Sequence, residues 1–181
     1  MRFDTAMVRR STRHGATRVV QESTELLVTP KLFEQIVKAE GNLVGIETPN
    51  VDETIAQFRQ LAIRSGQSVY LWDPENGIAA LRESEMRVPG SKRFPDALRF
   101  ILQSVQFGVY LLRDFEPHVR PPNTALLQRI ARIRTDNERK LVFLAQKLAL
   151  PQAIDALVER MNRAGDTATR PRLRDGRWVT A

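Results

Sequence analysis

VYLLRDFE, residues 109–116, decides the fold: with Phe107 and Gly108 ahead of it, FGVYLL (107–112) is an unbroken apolar run that stops at Arg113-Asp114. A strand apolar on both faces is covered on both, as in a parallel sheet between two layers of helices. The charges and prolines of RDFEPHVRPP (113–122) then break the strand and mark a loop.

Working outward, segments of helical and strand character alternate. Upstream, Pro95 opens an amphipathic stretch with Leu98, Ile101, Leu102 and Val105 on one helical face, after a polar loop over 82–94. Before that, SVYLW (68–72) reads as a strand running into the turn residues Asp73-Pro74-Glu75-Asn76-Gly77. Earlier still come KLFEQIVKAE (31–40), a helix stopped by Gly41, then NLVGIETP (42–49), a strand, then a helix over 52–64 closed by Gly66. Downstream, 124–134 is a helix with Leu126, Leu127, Ile130, Ala131 and Ile133 apolar and Arg129, Arg132 and Arg134 wet. KLVFLAQ (140–146) is a further strand, and Pro151 is expected to open a last helix striped with Ile154, Leu157, Val158 and Met161. Strands separated by helical crossovers predict an α/β fold: a three-layer parallel sheet with helices on both faces.

The formal net charge of +7 invites a nucleic-acid reading until it is mapped. Residues 21–162 hold 18 Lys+Arg against 18 Asp+Glu, so the excess lies in 1–20 and 163–181. The sequence thus divides into a basic N-terminal arm (1–20), one α/β domain (21–162) and a basic C-terminal tail (163–181), both ends expected to lack regular structure. Arg9, Arg10, Arg13 and Arg18, with Arg170, Arg172, Arg174 and Arg177, are the candidate contacts to nucleic acid or another acidic surface. There are no cysteines, so disulfides and thiolate metal sites are excluded, and a cytoplasmic setting is expected. With two histidines, His14 and His118, a zinc site would have to borrow carboxylates. No apolar run is long enough to span a membrane.

Two strand ends bear comparison with the P-loop ATPases. VYLLRDFE resembles the strand that ends in a magnesium-facing acid, here Asp114, and KLVFLAQ resembles the strand that ends in a polar sensor, here Gln146. The phosphate loop has no counterpart: after NLVGI comes ETPNVDET, and no GxxxxGK[ST] occurs. The fold is therefore expected to be P-loop-ATPase-like but degenerate, without a Walker A. Four stretches, IETPNVDE, VYLWDPENG, YLLRDFEPHV and VFLAQKLALP, resemble the N-terminal, degenerate ATPase-like domain of the stress-associated AAA ATPases encoded in chloroplasts and cyanobacteria. The likeness covers 40–155 and departs at Glu116, where the family pattern has histidine, with His118 two positions on. The family's C-terminal ATPase module is not expected in this sequence.

The resemblance implies a fold and not an activity; from a strand end like that of a Walker B without a Walker A, the expected function is a non-catalytic, regulatory protein-binding module, an adaptor whose partner is an ATPase or a larger assembly. Its natural contact patch would be Arg113, Asp114, Phe115 and Glu116, with Trp72, Asp73 and Asn76 on the neighbouring strand end. The alternative for the same residues is a structural loop in which Asp114 caps a turn and Phe115 packs inward. Two other functions stay open: nucleic-acid association through the arginine-rich ends, and nucleotide binding or metal-dependent catalysis using Asp114. No cofactor and no catalytic residue is assigned.

Overall fold

The computed structural model describes residues 28, 30–83, 85–134, 139–161, 172–174 and 177–179. Its elements run α1 (Pro30–Lys38), β1 (Leu43–Glu47), α2 (Val51–Ser65), β2 (Val69–Asp73), β3 (Gly77–Ala80), α3 (Phe94–Gln103), β4 (Gly108–Leu112), α4 (Asn123–Arg132), β5 (Arg139–Ala145), α5 (Gln152–Asp155), β6 (Val158–Met161), β7 (Arg172–Arg174) and β8 (Arg177–Val179). The first six strands form one sheet in the order β3-β2-β4-β5-β1-β6. All its pairings are parallel except β2 with β3, a hairpin on one edge. The expected α/β architecture with helices on both faces is therefore what the chain adopts.

Side chains of the central strands alternate between two cores, as the pleat requires. Leu141, Phe143 and Ala145 of β5 face one core with Tyr110 and Leu112 of β4, under α3 and α4. Val142 and Leu144 face the other with Val109 and Leu111, under α1 and α2. Every residue of β4 and of β5 is buried. That is why these strands read as continuous apolar runs.

Two expectations are corrected. The apolar stripe at 154–161 is not one helix: α5 is a single turn and Val158–Met161 is a strand parallel to β1. Val158 and Met161 are both buried, but a three-residue step in a strand puts them on opposite faces, each in a different core. In a sheet covered on both sides this spacing imitates a helical stripe. The second correction is at the C-terminal tail, where Arg172–Arg174 and Arg177–Val179 pair antiparallel. Asp175-Gly176 separates the two strands in sequence, and that dipeptide favours two-residue hairpins.

The N-terminal edge of the sheet is where helix ends are tied down. Lys140 is buried, and its ammonium donates to the carbonyls of Ala39 (2.6 Å) and Gly41 (3.2 Å) beyond the end of α1. Arg139 donates to Leu102 O near the end of α3 (3.1 Å), and the Asn42 amide donates to Ile130 O (2.9 Å) and Ile133 O (2.8 Å) at the end of α4. Cations and donors placed there meet the carbonyls a helix leaves unpaired and the negative end of its dipole.

Candidate functional site

In an open parallel sheet, ligands are met at the C-terminal ends of the strands. Here those ends carry Glu47 as the last residue of β1 with Thr48 after it, Asp73 at β2, Arg113 and Asp114 after β4, and Gln146 after β5. The turn from β1 to α2 is only Thr48-Pro49-Asn50, and it is closed by its own side chains. The Thr48 and Thr54 hydroxyls, both buried, lie 2.8 Å apart, and Thr54 also donates to Asn50 O at 2.9 Å. The Thr48 amide donates to Ala145 O (2.9 Å), and the Gln146 side chain donates to Pro49 O (3.3 Å).

At the start of α2, Asn50 is the N-cap: its side chain accepts from the Glu53 amide at 3.1 Å and donates to the Glu53 carboxylate at 3.3 Å. The first bond satisfies one of the helix's free N–H groups, and the second fixes the two side chains against each other. Asp52 and Glu53 put two carboxylates in the first turn, where the dipole favours negative charge. Arg113 then bridges two elements, its Nη1 2.6 Å from Asp52 and its Nε 3.1 Å from Asp114. A triphosphate does not fit these residues: the turn has no glycine, no lysine stands in it, and the helix N-terminus is already answered by carboxylates. Asp52, Glu53 and Asn50 were not among the expected site residues, although the spacing Asn50-x-x-Glu53 is a capping pattern visible in the sequence.

The expected contact patch divides. Trp72 is fully buried, its indole N–H donating to Ser91 O at 2.9 Å and its ring against Phe94 (4.7 Å) and the edge of His118 (5.6 Å). Phe115 is buried edge-on to Phe143 at 4.9 Å. Neither offers a surface, because large apolar rings beside a two-sided core are worth more inside it than in water. Asp73 and Asn76 hold the β2–β3 turn: Asp73 Oδ1 accepts from the amides of Glu75 (2.9 Å) and Asn76 (2.7 Å), and Arg87 donates to Asn76 Oδ1 (2.8 Å). The residues left facing solvent are Asp114 and Glu116, with Arg113 half-buried beside them. Asp114 has φ 51°, left-handed for a residue with a side chain; this turn aims Phe115 inward and leaves the carboxylate outside.

Arg9, Arg10, Arg13, Arg18 and Arg170 lie outside the described residues; Arg172, Arg174 and Arg177 are in β7 and β8. Among the described residues, no group of three or more His, Asp or Glu is placed to hold a metal, and no helix is long and apolar enough to cross a membrane. One phenol away from the strand ends is perturbed: burial pushes the Tyr110 hydroxyl above its ordinary range, against a smaller opposing effect of its hydrogen bond to Ser104.

The mostly parallel sheet with helices on both faces is that of a P-loop-like α/β domain. Within that class, residues 29–162 match the family of the SpoVK-like AAA ATPase N-terminal domain, and the chain belongs to it. No curated protein and no solved structure matches the chain.

Proposed function

We propose that this chain is a non-catalytic, regulatory protein-binding module that works through a protein partner, the ATPase machinery of its own family being the partner class. The observation that carries the reading is the closed β1–α2 turn, where Asn50, Asp52 and the Arg113 bridge stand at the position a nucleotide's phosphates would take. A fold that keeps its strand-end loops while filling the phosphate position with carboxylates retains a charged surface without phosphate chemistry. Asp114 and Glu116 are the exposed part of that surface, with Arg113 half-buried beside them.

Thermal unfolding of the full chain with ATP and magnesium tests the first half of the reading. A ligand that binds only the native state raises the midpoint. No rise is expected; a rise abolished by Asp114→Ala would overturn the proposal in favour of nucleotide binding. The second half is tested by adding the full chain to a purified SpoVK-like AAA ATPase module and measuring its turnover. A changed rate that Asp114→Lys/Glu116→Lys reverses supports the reading, and a rate indifferent to the chain counts against it.

A further inference from the structure

α3 and α4 lie side by side over one face of the sheet, and their C-terminal halves leave an open groove of about 590 Å³ between them. Its floor is Leu102, Leu126 and Ile133, and its walls carry Arg99, Arg129 and Arg132. Because Arg139 at the start of β5 reaches Leu102 O, the groove sits toward the N-terminal edge of the sheet, at the other end of the strands from Asp114. We propose that this groove docks an acidic amphipathic helix of a partner protein.

Three observations select that occupant. The floor is aliphatic and half-buried, suited to Leu or Ile side chains presented at helical spacing along a two-helix groove. The walls are cationic and no carboxylate lines them: Arg129 and Arg132 are exposed, three apart on one face of α4, and among the described residues neither is in an ion pair. Only Arg99 is partnered, by Asp96 at 2.6 Å one turn back, and its side chain is still 59% exposed. Like charges at this spacing repel, so an occupant that brings carboxylates relieves a cost the free domain carries. Nucleic acid fits less well, since no aromatic ring lines the groove for a base to stack on. The groove adds a second surface to the protein-binding reading and is tested apart from it: ATP stabilisation would overturn that reading and leave the groove standing.

The full chain is panned against a displayed library of peptides about 15 residues long, roughly four helical turns. Recovered peptides are then measured by fluorescence anisotropy on the wild type and on Arg129→Glu/Arg132→Glu. The expected binders carry Leu or Ile at i, i+3/i+4 and i+7 flanked by Asp and Glu, weaken with salt, and lose about tenfold or more in affinity on the double variant. Both arginines are exposed, so an unchanged circular-dichroism melt shows that the loss is local. A second variant, Leu126→Glu, places a like charge on the floor and must show the same loss. Binders without acidic residues, binding indifferent to both variants, or displacement of the peptides by single-stranded RNA of equal or higher affinity would each overturn the proposal.

Discussion

Arg113 Nη1 lies 2.6 Å from Asp52 Oδ1, tying the residue after β4 to the first turn of α2 at the C-terminal ends of the strands. The Arg113 side chain is 37% exposed and that of Asp52 73%, so solvent screens the pair heavily. A double-mutant cycle of Arg113→Ala and Asp52→Ala, read by urea unfolding, should give a coupling of about 0.2–1 kcal/mol that shrinks with added salt. A coupling several times larger would mean that the bridge, and not the Asn50 cap, holds the turn shut.

Asp114 is expected to matter for its backbone more than for its charge. At φ 51° a residue with a short polar side chain is tolerated, whereas a β-branched one is not. Asp114→Asn and Asp114→Gly should stay within about 1 kcal/mol of wild type, and Asp114→Val should lose roughly 1–2 kcal/mol or more, measured by chemical denaturation. Equal losses in Asn and Val would overturn this assignment.

Gly45 sits in β1 where Leu148 and Val158 press closest. A methyl group there would stand 2.8 Å from Leu148 Cδ1 and 2.9 Å from Val158 Cγ1. Gly45→Ala should therefore destabilise the domain by about 1–3 kcal/mol through overpacking, despite the better strand propensity of alanine. Gly45→Ala/Val158→Ala should recover less than it costs, because trimming one neighbour leaves the Leu148 contact in place.

Trp72 gives an optical reading of the same core. Its full burial predicts blue-shifted emission, best read in Trp178→Phe, which removes the second of the chain's two tryptophans. Trp72→Phe keeps an aromatic ring against Phe94 but leaves Ser91 O without the indole donor, at a cost of about 1–3 kcal/mol in midpoint measurements.

Burial raises the Tyr110 hydroxyl above 10.0, so its contribution to stability is complete below that pH and is lost as pH climbs toward the folded value. The unfolded chain releases the proton first, and alkali pulls the equilibrium toward it. Stability measured above pH 10 should fall less steeply in Tyr110→Phe than in wild type; identical slopes would show that the phenol is not the group responsible.

How far the sequence carried this reading depends on which faces of each element are covered. β4 and β5 were legible because both of their faces are apolar, and α2 because Ile55, Phe58 and Ala62 recur at helical spacing before Gly66. β6 was not, since Val158 and Met161 serve two cores at a spacing shared with a helix. β3 was missed as well, because Gly-Ile-Ala-Ala is too short and weakly branched to stand out after a turn. At the candidate site, Asp114 and Glu116 were expected from their place after an apolar run and are exposed there, whereas Trp72 and Phe115, also named for the contact patch, are buried. Polar neighbours in sequence hide an inward side chain, and only the backbone turn at Asp114 decides where Phe115 goes. The groove arginines were visible only as the wet side of a helix, since its floor exists only once α3 lies beside α4.

The charge balance of residues 21–162 is zero as a sum, but not as a distribution. Asp52, Asp73, Asp114 and Glu116 gather where the parallel strands finish; Arg99, Arg129, Arg132, Arg139 and Lys140 gather where they begin. Arg113 stands among those carboxylates and Asp96 beside Arg99, so each end carries part of its own counter-charge. Charges set at opposite ends of the strands give the two ends different electrostatic surroundings, so a charged partner meets the domain differently from one end than from the other.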